Sequence, residues 1–271
     1  MNIASTDPQG LAAHRFGSGP RLVMALHCTM AHSGAWRPLA AALEGEARFL
    51  GLDMFCHGRS PDWDGKGDFH DRMTEAALKH LTEPMDVVGH SFGATLAIRL
   101  AEERPEMVRS LTLIESVQFS VTRADTPEVL AERNVKARPF NEALDAGDTD
   151  LAAKLFNGDW SEGESGWEAV PEPRRAAMRR GVVIVPHCSP AIIDDRPGML
   201  EPSALARVSM PVLLMRGSET EPIIGTVNDG LERRLADASN VVVPGAGHML
   251  PITHPAETAD ALRTLFARAP I

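Results

Sequence analysis

Val87-Val88-Gly89-His90-Ser91-Phe92-Gly93 is the stretch of this 271-residue chain whose reading decides the fold. It is a G-x-S-x-G pattern set between a short apolar run, Met85–Val88, and a helical run, Phe92–Glu103 (FGATLAIRLAEE), that Pro105 stops. A strand that turns at once into a helix makes a sharp, strained bend. Glycines at 89 and 93 remove side chains that would strike neighbouring backbone, and the bend lifts the serine hydroxyl above the sheet edge. The helix starting at Phe92 also aims its unpaired N–H groups at the site, which favours negative charge there. The plainer alternative is a glycine-rich turn with an exposed serine, and the flanking strand and helix speak against it.

Working outward, apolar runs alternate with helical spacing. Leu22–Leu26, Ala47–Leu52 and Val108–Ile114 read as strands, and Ala35–Leu43 and Asp71–Leu81 as helices. After residue 209 the rhythm returns, with strands at Met210–Met215 and Asn240–Val243 and helices near Asn228–Ala236 and over Pro255–Arg268. Strands alternating with helices at this pitch predict an α/β fold, a mostly parallel central sheet flanked by helices. Between Glu115 and Val208 strand signals nearly vanish, and helical pieces such as TPEVLAERNVKA and EPRRAAMRRG are broken by Pro, Gly and charge. The exception is GVVIVP at 181–186, which fits either a strand or a buried helix. The expected organisation is a core of residues 1–114 and 209–271, with residues 115–208 as a helical cap inserted before the last two strands.

Bulk properties narrow the function. Apolar residues make up 44% and charged residues 24%, ordinary for a globular protein. Lys and Arg number 27 against 37 Asp and Glu, a net charge of −10, which leaves no basic surplus for a phosphate backbone, so no nucleic-acid partner is expected. The opening MNIASTDPQGLAAHRFGSG lacks a basic region followed by an apolar one, and no window approaches the ~18 apolar residues of a membrane span. Three cysteines, Cys28, Cys56 and Cys188, fit a reducing compartment better than a disulfide scaffold. A cytoplasmic protein with no membrane association is expected, and the oligomeric state is not legible. Paired zinc-type ligand spacing, a P-loop and a G-x-G-x-x-G are all missing from the sequence, so neither metal nor cofactor is expected.

With the serine motif in place, the chain resembles the α/β-hydrolase family over nearly its whole length. Leu26-His27-Cys28-Thr29 is similar to the family's strand followed by His-Gly-x. Asp53-Met54-Phe55-Cys56-His57-Gly58-Arg59-Ser60 is similar to its Asp-x-x-Gly-His-Gly-x-Ser loop. Met210–Gly217 resembles the strand before the usual acid, and Gly245-Ala246-Gly247-His248-Met249-Leu250-Pro251 the loop of the catalytic histidine. Cys28 and Cys56 depart from the pattern, each standing where family members usually have glycine.

The resemblance implies roles. Ser91 is the nucleophile, and His248, late in the chain in a glycine-flanked loop, the base that takes its proton. His27, His57 and His90 lie in motif loops and are expected to brace turns. The backbone N–H groups of Phe92 and Thr29 are the expected oxyanion donors. The acid that orients the imidazole is harder to place, because the usual Gly-x-x-Asp reads Gly217-Ser218-Glu219-Thr220, with threonine where aspartate would stand. Glu221 fits with a slip of one residue, 27 residues before His248. Glu115, closing the strand VRSLTLI 24 residues after Ser91, stands at the sheet's carboxyl edge, where some family members place the acid, and is preferred.

Phe119, Trp160 and Trp167, with Phe140, Phe156, Ile192 and Ile193, are candidates to line an apolar substrate pocket, although such residues on helices more often serve packing. The expected function is a cofactor-independent hydrolase of a small, partly apolar ester-like substrate through an acyl-enzyme. Two alternatives stand: a carbon–carbon bond hydrolase or lyase on the same scaffold, and a non-catalytic small-molecule receptor.

Overall fold

Among the described residues a single eight-stranded sheet runs in the order β1-β2-β4-β3-β5-β6-β7-β8. The computed structural model describes residues 3–4, 10–160 and 167–271. The strands are β1 (Ile3–Ala4), β2 (Ala13–Gly17), β3 (Arg21–Leu26), β4 (Ala47–Leu52), β5 (Met85–His90), β6 (Val108–Ile114), β7 (Val212–Gly217) and β8 (Ala238–Val243). Strands β1 and β2 pair antiparallel, β2 runs antiparallel to β4, and every other neighbour is parallel.

The central strands are apolar because both their faces are covered. Along β3, Leu22, Met24 and Leu26 enter one core cluster while Val23 and Ala25 enter the other, which is the period-two alternation of a pleated strand. On the first face lie α2 (Phe69–Leu78), α3 (Phe92–Glu103) and α11 (Pro222–Arg234). On the second lie α1 (Arg37–Ala42) and α13 (Pro255–Arg268). Far from the site, Arg21 clasps both carboxylate oxygens of Asp86 at 2.8 Å and donates to the carbonyls of Phe266 and Ala269 at 3.2 and 2.7 Å. Buried charge is tolerable here because each partner is hydrogen-bonded.

Between β6 and β7 all described elements are helical: α4 (Phe119–Asp125), α5 (Pro127–Lys136), α6 (Arg138–Asp145), α7 (Thr149–Trp160), α8 (Glu172–Val182), α9 (Val185–Ile192) and α10 (Pro202–Leu205). The two ends of this excursion join the sheet's own core through Val117, Phe119, Val121 and Leu130 at one end and Cys188, Ala191 and Ile192 at the other. Its middle has a small core of its own, made of Phe140, Ala143, Ala152, Ala153, Trp167, Met178 and Val182. The run GVVIVP holds no strand: Gly181 and Val182 end α8, Val185 and Pro186 begin α9, and Val183 and Ile184 turn between them, with Val182 and Ile184 buried. Burial against other helices overrides its β-branched preference.

Other boundaries move as well. The first two strands have no counterpart in the sequence reading, and α11 begins six residues before the expected Asn228, at Pro222 in a first-turn position that suits proline. Two short helices, α12 (Leu250–Thr253) and the 3-10 turn Ser33–Trp36, complete the rim. Among the described residues no helix is long and apolar enough to cross a membrane.

Candidate active site

Ser91 stands at the junction of β5 and α3 with φ 56 and ψ −119, a left-handed conformation that an L residue holds only when its surroundings force it. The surroundings do force it. A Cβ at Gly89 would lie 2.2 Å from the carbonyl oxygen of Gly93, and one at Gly93 would lie 2.2 Å from that of Leu26. The first turn of α3 is thus pressed against the end of β3, at the carbonyls of Leu26 and His27. The Ser91 amide donates to the carbonyl of Ile114 at 2.8 Å, pinning the bend to the next strand.

The histidine and the acid come from two other strand ends. His248 is buried, and its Nδ1 lies 3.1 Å from Oε2 of Glu115. Glu115 is fully buried directly after β6, at φ 53, with its own amide donating to the carbonyl of Met215 at 2.8 Å. Its carboxylate has two further donors: the Gly217 amide gives Oε1 a bond of 2.6 Å, and the Thr220 hydroxyl donates to Oε2. Three donors around one carboxylate compensate the cost of burying its charge. The threonine in the place of the expected aspartate is therefore a partner of the carboxylate on the neighbouring strand. Glu221 lies elsewhere. It precedes α11 and pairs with Lys136 at 3.1 Å, both side chains well exposed. The structure brings Glu115, not Glu221, to His248.

His90 also serves this loop, donating from Nε2 to the carbonyl of His248 at 2.7 Å, and burial holds its pKa well below the ordinary histidine value. It therefore stays neutral, which lets a single ring proton sit where the carbonyl needs it.

Ser91, His248, Thr29 and Cys28 line a cavity of about 830 Å3 whose other walls include Met30, His57, Phe156, Met178, Met249 and Ile252. Cys28 presents a thiol whose pKa burial pushes up to about 12, so it is an uncharged lining group. Cys56 takes φ 64, the conformation for which glycine is the usual occupant, and its sulfur accepts from the Trp63 amide at 3.3 Å. All three cysteines are free thiols.

Several expected lining residues are elsewhere. Phe119 is buried in the main core with the Arg133 guanidinium 4.7 Å from its ring centroid. Trp167 is buried in the excursion's own core, with its indole N–H donating to Asp150 at 3.2 Å. The side chain of Trp160 lies outside the described residues. Of the aromatic candidates, Phe156 lines the cavity. Arg174, Arg180, Met178 and Asn157 also line it, and nothing in the sequence pattern singled them out, because residues of a helical wall share no spacing signature. Among the described residues, no group of three or more His, Cys, Asp or Glu could hold a metal ion.

Comparison with known proteins agrees with this architecture. The model of a family described as the alpha/beta hydrolase family matches residues 22–261. A pimeloyl-[acyl-carrier protein] methyl ester esterase of Nitrosomonas europaea is 30% identical over 253 residues, covering 92% of this chain and 96% of that protein. A 2-(acetamidomethylene)succinate hydrolase of Mesorhizobium japonicum is 27% identical, covering 91% of this chain and 87% of its own. Among solved structures, a hydrolase from Pseudomonas aeruginosa superposes with a TM-score of 0.75 at 20% identity, over 98% of this chain and 97% of that one.

Proposed function

The chain belongs to the alpha/beta hydrolase family, and on that premise we propose that it is a serine hydrolase of small, partly apolar carboxylic esters, acting through Ser91, His248 and Glu115. The observation that carries the reading is convergence. A strained serine and a histidine hydrogen-bonded at Nδ1 to a buried glutamate come from three strand ends and meet at the wall of one cavity. Residues 115–208 act in this reading as a cap that closes the cavity over a core of residues 1–114 and 209–271.

The chemistry follows from that placement. Glu115 accepts the Nδ1–H of His248, leaving the Nε2 lone pair for the Ser91 hydroxyl proton. The Ser91 oxygen bonds to the ester carbonyl carbon, and the negative charge that develops on the carbonyl oxygen is met by the N–H groups of Phe92 and Thr29. Collapse breaks the carbon–oxygen bond to the alcohol, which leaves with the proton from His248. Water, deprotonated by the same imidazole, then releases the acid and restores Ser91.

Similarity to an esterase named for a methyl ester supports ester cleavage over carbon–carbon cleavage. A panel of p-nitrophenyl esters of graded acyl length tests it, with labelling by an organophosphonate. The expected result is turnover together with a single adduct on Ser91, both abolished in Ser91→Ala. Turnover at the wild-type level in Ser91→Ala sinks the reading. A protein that binds ligands without turnover or labelling points to the receptor alternative.

A further inference from the structure

The loops leaving β3 and β4 are sewn together by two histidines in a reciprocal way. His27, on the first loop, donates from Nδ1 to the carbonyl of Cys28 at 2.7 Å and accepts at Nε2 from the amide of Met54 on the second, at 3.0 Å. His57, on the second, donates from Nδ1 to the carbonyl of Phe55 at 2.8 Å and accepts at Nε2 from the amide of Met30 on the first, at 2.9 Å. An amide only donates and a carbonyl only accepts, so each ring is neutral with its proton on Nδ1. Burial agrees, lowering His27 to about 4 and His57 to about 3.

The second bridge holds a strained turn. Cys28-Thr29-Met30-Ala31 is closed by the Ala31 amide donating to the Cys28 carbonyl at 3.2 Å, and Met30 within it takes φ 62. Turning the Thr29–Met30 peptide over would relax Met30. It would also carry the Met30 N–H away from His57, leaving the turn, whose first central residue is Thr29, without its tether to the β4 loop.

The same ring is the seat of a helix. A Cβ at Gly181 of α8 would lie 2.6 Å from His57 Nε2. The next residue back, Arg180, fastens α8 to this loop through the carbonyls of Gly58 and Ser60 at 3.2 and 2.6 Å and through Asp62 at 2.7 Å. Helix α8 carries Arg174, Ala177 and Met178 into the cavity wall.

We propose that His57 is a positioning residue which, packed under Gly181 and accepting the Met30 N–H, keeps the Thr29 amide aimed at the substrate carbonyl oxygen, so that the seating of α8 and the aim of that donor are one arrangement. This rests on the reading of Thr29 as an oxyanion donor. It explains why a bare glycine faces the ring from α8, and why a methionine is held in a glycine-like conformation beside the nucleophile.

The test compares His57→Ala, His57→Gln, Gly181→Ala and Ser91→Ala on p-nitrophenyl esters, with unfolding temperatures measured alongside. Removing an oxyanion donor costs ~10²–10³-fold in kcat, so mis-aiming one in His57→Ala should cost roughly tenfold or more, with KM nearly unchanged. His57→Gln should recover most of it, because its carboxamide can accept from Met30 and donate to Phe55. Gly181→Ala should lower kcat in the same direction, although alanine is the better helix former. The shape of the pH–rate profile should be unchanged in every His57 variant, because the ring carries no proton for the reaction.

A glutamine no better than alanine at wild-type unfolding temperature overturns the proposal. So does a loss expressed in KM alone, or a displaced acid limb in His57→Gln. If His57→Ala does not fold, His57→Gln and Gly181→Ala still decide, since wild-type kcat in Gly181→Ala also overturns it. Failure of the underlying reading shows separately: turnover surviving in Ser91→Ala removes the hydrolase mechanism itself, whereas an inactive Ser91→Ala beside an unrescued His57→Gln removes only the role of His57.

Discussion

The loops at the carboxyl ends of β3 to β7 and the helices between β6 and β7 are held by different forces. In the loops a set of buried polar side chains is tied by hydrogen bonds, most of them to backbone: Asp53 accepts from the amides of Ser33 and Arg59, His27 and His57 bridge two loops, and Glu115 has three donors. The helical excursion instead carries its charges outside, in pairs such as Lys154–Glu168, Arg123–Asp194 and Arg179–Asp150, over a small apolar core. Buried polar bonds lose ~1–3 kcal/mol when a partner goes, while exposed pairs are worth ~0–1 kcal/mol. Geometry is therefore fixed in the first region, and the second is free to vary in the shape it lends the cavity.

The largest effect that would break this contrast lies within the loops. Glu115→Gln should lower kcat by about 10³–10⁴-fold on any ester turned over, because the amide neither carries charge nor enforces the Nδ1–H tautomer. Glu221→Gln, removing an exposed pair, should leave kcat within about twofold. Equal losses in the two variants would place the acid on the wrong strand.

A smaller effect is expected at Thr220→Val, which keeps shape and removes one donor to Glu115. Losing a bond to a charged group costs ~1.5–3 kcal/mol, so urea unfolding should show a drop of that order and kcat a loss of roughly tenfold. A variant as stable and active as the parent would mean that the other two donors suffice.

The third effect concerns pH. Burial lowers His27 to about 4 and His57 and His70 to about 3, while in the unfolded chain these histidines titrate near 6.5. The unfolded state therefore binds more protons between those limits. Their contribution to stability is whole above about pH 6.5 and lost progressively as pH falls toward 3–4. The urea midpoint should be lower at pH 5 than at pH 7.5, and His70→Gln should flatten that dependence. An equal midpoint at the two pH values contradicts neutral burial.

The smallest effect belongs to the excursion. Phe156→Ala opens the cavity wall, and should shift KM and acyl-length preference by a few-fold while the unfolding temperature changes little. A collapse of kcat instead would show that this helix shares in the fixed geometry.

The same contrast governs what the sequence reveals. Ser91, His248 and the strand runs are legible because backbone constraints leave marks: glycines where nothing else fits, apolar runs where both faces are covered. Glu115 was readable as a strand-end carboxylate, but its choice over Glu221 depends on a side-by-side register of β6 and β7 that no local pattern encodes. Strand β2 went unread because AHRFG is short and places a buried histidine, His14, beside Asp53 at 3.2 Å instead of presenting a clean apolar alternation. Phe119 and Trp167 are aromatic for the sake of packing, while Met178 and Arg174 line the cavity, because which face of a helix meets a void is decided by neighbours far away in the chain.

The bond between Thr220 and Glu115 has an evolutionary consequence. The ends of two adjacent strands converge on one spot beside the imidazole, so the backbone offers two addresses for a single negative charge, and threonine now fills the second as an escort. A lineage can move the charge from one address to the other without bending a strand. It must pass through an ancestor that holds either two carboxyls, forced to share a proton, or none. Thr220→Asp, made alone and then with Glu115→Ser, would recreate that passage. The doubly acidic form, if it retains activity, would be the bridge by which relatives of one fold come to keep their acid on different strands.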